Sequence, residues 1–382
     1  MRIYITSVAA VCLTAGTAYA GALDRTGQSV DVLFEDGRYV EFSLGYVSPD
    51  VTGESITTFG PTLPAGTKSG DIGVSNFNFG AAYKADINEK LSYAIIIDQP
   101  YKAEVDYPTV TGYFGSDSSA EFNSTAITAL LKYRLDSGFS VYGGLRFQET
   151  DANAAIAFAG QYEVDASADW GVGYVAGVAF ERPDIALRVS LTYSSEISHE
   201  NDVTEAYNTP FGRQTVESTA EFETPQSINL AAQTGIAADT LLFGSVRWVD
   251  WSDFDLSPQQ YTDATNPFTG GPLIAGQPLL SYVDDVTTYT IGMGRRLNDT
   301  WSIAGSLSYE ENTENLFTNL GPNDGQIGIG FAAIYTQGPM RITTGIRYVR
   351  IGDTTTAVQG VPAAEFDDND AIALGVKIGY NF

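Results

Sequence analysis

The chain has 382 residues, 47 acidic against 20 basic, for a formal charge of −27. That balance excludes nucleic acid as a partner, since binding there rests on neutralising phosphates. A single cysteine excludes a disulfide framework and a Cys metal site, and 22 Tyr, 20 Phe and 39 Gly at a mean hydropathy near zero are unusual for a soluble protein.

In chain order, Arg2, the apolar stretch Ile3 to Leu13 and "AYA" at Ala18 to Ala20 form a secretory signal over residues 1–20, cleaved before Gly21. Cys12 lies inside it, after Val11 where lipid attachment would need a small residue. Beyond the leader no apolar run approaches the ~18 residues of a spanning helix. Residues 21–38, "GALDRTGQSVDVLFEDGR", show no clean alternation. They are expected to form a short hatch or plug at the periplasmic end, with Gln28 and Phe34 as its contact residues; the alternative is a plain periplasmic leader.

Residues 39–382 alternate. Strands are predicted near 39–47, 74–84, 90–104, 121–135, 139–149, 169–181, 185–196, 219–235, 241–252, 286–297, 301–310, 325–336, 340–351 and 369–382. In the last, Ile372, Leu374, Val376, Ile378, Tyr380 and Phe382 oppose Ala371, Ala373, Gly375, Lys377, Gly379 and Asn381. A bulky face against a tiny one suits a strand whose bulk meets lipid and whose small residues face a lumen. Short connections such as "DSG", "RPD", "LND" and "QGP" carry turn residues and alternate with long ones at 48–73, 105–120, 150–168, 197–218, 253–285, 311–324 and 352–368. Long-short alternation is the sidedness of an outer-membrane barrel, with turns in the periplasm and loops outside. The expected fold is therefore all-β, a transmembrane antiparallel β-barrel of about fourteen strands. A lumen of that size lies between filled eight-stranded barrels and open sixteen-stranded pores, so it needs a plug.

Residues Thr224 to Phe254, "TPQSINLAAQTGIAADTLLFGSVRWVDWSDF", resemble the FadL family of outer-membrane long-chain fatty acid transporters, in which a Pro-initiated strand, a short turn and a strand ending W-x-x-W-S-x-F follow one another. Thr287 to Glu310 is similar to the next hairpin of that family, with its L-N-D-x-W turn. The resemblance implies a monomeric fourteen-stranded barrel with an N-terminal hatch, passing fatty acids or aromatic hydrocarbons by diffusion in a Gram-negative outer membrane, among its lipid and lipopolysaccharide. It also implies a lateral exit at a kink in the third strand. Asp98 and Pro100 in "IIIDQPYKAEVDY" (Ile95 to Tyr107) are the matching positions here, because proline removes a ladder donor. Pro100 as the start of an outer loop is the other reading. The family hatch usually ends Asn-Pro-Ala, whereas this chain reads "LFEDGRYVEF", so a reduced plug is expected.

Each methylene leaving water gains ~0.8 kcal/mol, so a sixteen-carbon tail gains on the order of 12 kcal/mol gross, and successive incomplete sites serve transport better than one tight site. Candidate apolar contacts are Phe268, Leu273 and Leu279 in the 253–285 loop and Leu316 and Phe317 in the next; Tyr113 and Phe158 add apolar loop surface. Strand parity sends Arg146, Arg188, Arg296, Arg347 and Lys377 inward, to pair with acids such as Glu41 or Glu181. Arg146 and Arg188 are the expected partners of a carboxylate head group. A Ser–His hydrolase would rest on His199 beside Ser194, Ser195 and Ser198, with no visible oxyanion pocket, so no enzyme is expected. No cofactor or metal is expected either. The rival classes are a porin for small polar solutes and a structural or adhesive barrel.

Overall fold

The computed structural model describes residues 23–59, 63–109, 111–263 and 278–382. The expected signal peptide, Phe268 and Leu273 lie outside the described residues. Alternation becomes one closed antiparallel sheet of fourteen strands. They are β1 (Tyr39–Asp50), β2 (Asn76–Asp86), β3 (Leu91–Asp98, resuming as Lys102–Asp106), β4 (Ser119–Arg134), β5 (Phe139–Ile156), β6 (Tyr162–Arg182) and β7 (Leu187–Ser194, resuming as Ile197–Thr209). There follow β8 (Gly212–Thr224, resuming as Ser227–Ala237), β9 (Thr240–Val249), β10 (Val286–Arg296), β11 (Trp301–Glu310), β12 (Gln326–Gln337), β13 (Met340–Ile351) and β14 (Asp370–Asn381). β1 closes on β14 from Tyr39↔Asn381 to Asp50↔Asp370, which leaves no sheet edge at the seam.

The outer face is an apolar band that includes Val172, Ile291, Leu307 and Phe331, each more than half exposed. Aromatic residues gather near both ends of the strands, Trp301, Tyr335, Tyr380 and Phe382 towards the short turns and Trp170, Tyr289, Tyr309 and Tyr348 towards the long loops. Such girdles sit at the two membrane–water interfaces.

Two long connections are strand rather than loop, which corrects the sequence reading. Residues expected as loops at 150–168 and 197–218 extend β5–β6 and β7–β8 into hairpins that stand above the apolar band. Alternation was hidden there because its sense reverses. On β6 both Ser167 and Ala168 are exposed, and inward positions change from even (Val164, Ala166) to odd (Gly171, Gly173, Val175). The same switch occurs at Ser195–Glu196 on β7 and Pro225–Gln226 on β8, where each strand is interrupted. A bulge inserts one residue and so exchanges the faces. Below it apolar residues such as Leu191 and Ile228 point to lipid; above it Val203, Ala220 and Phe222 point inward while Glu200, Asp202 and Glu221 face water.

Above the mouth, Gly53–Ser55, Leu316–Phe317, Thr354–Val358 and Val361–Phe366 form a small four-stranded sheet that roofs one side of the barrel. Residues 23–38 cross the interior. Asp24 pairs with Arg247 of β9 at 2.6 Å, Asp31 with Arg188 of β7 at 2.9 Å and Glu35 with Arg341 of β13 at 2.8 Å. Lys84 of β2 donates to Gly37 O, and Asn229 of β8 to Gly27 O. The segment is thus tied to strands on several sides of the lumen.

Candidate transport path

The third strand breaks where the sequence placed Pro100. β2 pairs with β3 only from Ala81↔Ile97 to Asp86↔Ser92, so Asn76–Gly80 have β1 as their sole ladder partner. The lost ladder is only partly replaced. Phe79 N donates to Gln99 Oε1 at 3.0 Å, while the proline has no N–H to offer. The inner segment completes the broken strand instead: Arg25 N donates to Pro100 O at 2.8 Å and Lys102 N to Leu23 O at 2.9 Å. Thr26 Oγ1 donates to Asp98 Oδ2 at 2.7 Å. Gln28 is buried, its Nε2 donating at 2.7 Å to Tyr101 OH, which in turn donates at 3.3 Å to Pro225 O at the β8 bulge. One glutamine therefore links the wall break to the bulged strands opposite.

Beside that break is a cavity of ≈ 100 Å³ reaching from the inner segment (Thr26, Val32) to Phe79 and Ile97 on the membrane side of the wall. Asn78 Nδ2 and Oδ1, Asn76 Oδ1 and Asp98 Oδ1 are buried in the surrounding wall without a protein partner.

At the opposite end the mouth holds a cavity of ≈ 220 Å³ lined by Phe158, Tyr261, Leu279, Leu316, Phe317 and Leu320. Burial pushes the phenols of Tyr107 and Tyr261, which also line it, well above their usual range, so they present neutral hydroxyls. Leu279 and Leu320 also line an inner chamber of ≈ 30 Å³, walled by Ala120, Ala152, Ala154, Ala166 and Ala220. Leu320 and Ala103 continue into a third space of ≈ 20 Å³ that reaches Leu23 and Arg25, and Arg25 lines the wall-break cavity too. Each of these cavities shares lining residues with the next, from the mouth to the break in the wall. Beyond the inner segment a further cavity is lined by Ser190, Thr192, Thr290, Ser306, Ser308 and Arg347, together with residues Asp24 and Thr26 to Asp31 of the inner segment itself.

Leu279, Leu316 and Phe317 thus meet at the mouth, and Asp98 and Pro100 at the break. Arg146 is buried at 4 % exposure with Nε donating to Thr128 Oγ1, and Arg188 is paired with Asp31; neither lines these cavities. Phe34 is held between Lys132 Nζ at 4.4 Å and Arg188 at 4.6 Å, edge-on to Tyr142. Lys377 pairs with Glu41 at 3.4 Å and Lys132 lies 3.9 Å from Glu181, the inward acids expected from parity. Sequence reasoning missed Tyr261, a single aromatic in a polar stretch, and the alanine wall, because alanine signals nothing until neighbours converge on it. The hydrolase arrangement does not form: Ser198 Oγ donates to Glu223, and His199 Nδ1 faces Asp169 at 3.6 Å with no serine hydroxyl bonded to the ring.

A closed fourteen-stranded barrel with an apolar outer band, aromatic girdles and a string of internal cavities defines an outer-membrane channel. The chain belongs to the outer membrane transport protein family OMPP1/FadL/TodX, whose model matches residues 32–318. A Pseudomonas aeruginosa FadL homologue superposes at a TM-score of 0.72 with 15% identity over 92% of both chains. The Pseudomonas putida toluene transporter TodX gives 0.66 with 13% identity over 92% of both. The Ralstonia pickettii toluene transporter TbuX gives 0.60 at 13%, covering 92% of this chain and 91% of its own. No curated protein matches the sequence. Members of the family are transporters and channels, not enzymes, and act as single-chain barrels on hydrophobic compounds in the outer membranes of Gram-negative bacteria.

Proposed function

We propose that this chain takes up hydrophobic compounds by passive diffusion, from the mouth through the alanine-walled chamber to the break in β3, and releases them sideways into the membrane. The observation that carries the reading is the string of cavities ending at a wall break beside Phe79 and Ile97. Acyl chains and hydrocarbons, long-chain fatty acids included, meet the same requirement for an apolar passage. The inner chambers are too small for a whole sixteen-carbon tail, so a long cargo would thread, contacting several partial sites in turn and remaining free to leave. Residues 23–38 act in this scheme as the hatch that closes the axial route.

Gly45 of β1 faces the wall-break cavity, and a Cβ there would meet nothing closer than 3.8 Å. Gly45→Phe therefore fills the exit without a backbone clash. Uptake of a radiolabelled hydrophobic compound by cells lacking the chain, complemented with wild type or Gly45→Phe, is the test. Uptake should fall to the level of uncomplemented cells although folded barrel is present at wild-type amounts. Unchanged uptake would send the cargo elsewhere, and a large steady conductance of the wild-type protein in planar bilayers would favour a porin.

A further inference from the structure

We infer that the passage selects uncharged hydrophobic molecules, bearing at most a hydroxyl, over carboxylate-bearing ones; this rests on the transport reading and names its cargo class. Charge along the path decides the matter. Among the described residues no Lys, Arg, Asp or Glu lines the mouth cavity. Glu121 is the one charged residue bordering the alanine-walled chamber, and its carboxylate turns to the outer face, where it accepts from Asn123 and Asn153. The residues outside the description near these loops, 60–62, 110 and 264–277, include no charged side chain in the sequence. A carboxylate crossing this stretch leaves water with nothing to receive it, and an unpaired charge taken out of water either costs several kcal/mol or forces protonation.

The far end offers no compensation. Of the four carboxylates lining the wall-break cavity, Asp31 is paired with Arg188, Glu35 with Arg341 and Glu41 with Lys377, while Asp98 accepts from Thr26; the cations lining it are Arg25 and Lys377. Lys377 is already paired with Glu41, and Arg25 donates to Asp24 O. Arg146 and Arg188 stand outside the path, the second neutralised by Asp31. The Asn78 amide and Asp98 Oδ1 are buried in the wall beside the break without a partner.

The test compares 1-decanol with decanoate at pH 7.4, by calorimetric titration of the full mature chain in nanodiscs, with partition into empty discs subtracted. Decanol is expected to bind at least about ten-fold more tightly. Leu316 is partly exposed at the mouth, so Leu316→Arg adds a cation without opening a core; it should bring decanoate to within about three-fold of decanol. Equal or tighter binding of decanoate by wild type overturns the inference and leaves the transport reading standing. Binding of neither probe above the empty discs overturns both.

Discussion

Truncating Phe34 to alanine tests whether residues 23–38 are held in the lumen by their own packing. The ring is 9 % exposed, meets Tyr142 edge-on at 5.9 Å, and lies under Lys132 at 4.4 Å and Arg188 at 4.6 Å. Removing a buried phenyl costs ~3–5 kcal/mol from lost burial and the void left behind. Each cation–ring contact adds ~0.5–1 kcal/mol, more where water is excluded. Little of this falls on the wall, whose ladders from β1 to β14 do not involve Phe34. The loss therefore appears as easier local opening of the turn Asp31–Phe34, whose amides of Leu33 and Glu35 donate to Val30 O and Val32 O. At ~4 kcal/mol the exchange of those two amides should accelerate roughly 10³-fold, at about 1.4 kcal/mol per decade. Hydrogen-exchange mass spectrometry in detergent reads it directly, and planar-bilayer recordings should show higher conductance from the same preparation. The folded, heat-modifiable barrel should persist. Wild-type exchange together with wild-type conductance would refute the reasoning, because a segment so packed cannot lose its anchor without consequence.

Arg188→Met leaves the partly buried Asp31 with only the Ser29 hydroxyl as partner, at a cost of about 1–3 kcal/mol; the double variant with Asp31→Asn should recover most of the loss, as read from urea midpoints of hatch exchange. Ala154→Leu overfills the narrow chamber at ~1–3 kcal/mol of strain and should slow uptake of every cargo while the barrel still folds, in contrast to Leu316→Arg, which changes selectivity. Gln28→Ala removes the bridge between Tyr101 and Ser227 and should raise proteolysis of residues 23–38 in the purified protein without altering membrane assembly.

Much of the barrel was readable because a lipid-facing strand writes a simple rule: bulk out, small in. Trp301, Ile303 and Leu307 against Ser302, Ala304 and Ser306 obey it throughout β11. The extended hairpins were not readable by that rule. Their wall stands in water, so Val203 and Phe222 turn inward and Glu200 and Glu221 outward, opposite to the pattern below the bulges. Of the path, the loop residues Leu279, Leu316 and Phe317 stood out as apolar material in polar surroundings. The hatch contacts had no sequence signal beyond position, since pairs such as Asp24–Arg247 join residues more than two hundred apart.

The reversal of faces also bears on where a cargo must leave. Above the bulges at 167–168, 195–196 and 225–226 the interior is apolar, built from Ala154, Val164, Val203 and Leu320. Below them β7 turns Ser190 and Thr192 inward, as β10 and β11 turn Thr290 and Ser306. A molecule descending the lumen therefore reaches a level where the inward side chains change from alkyl to hydroxyl and residues 23–38 lie across the way. The break in β3 is coupled to this same level, through Tyr101 and its hydrogen bond to Pro225. Sideways from it lies the apolar band of Phe79 and Ile97, and beyond that the bilayer. One residue inserted in each of three strands thus sets the level at which the apolar upper wall ends beside the break, and it predicts that deleting those single-residue insertions would slow the proposed lateral step even with the wall break left open.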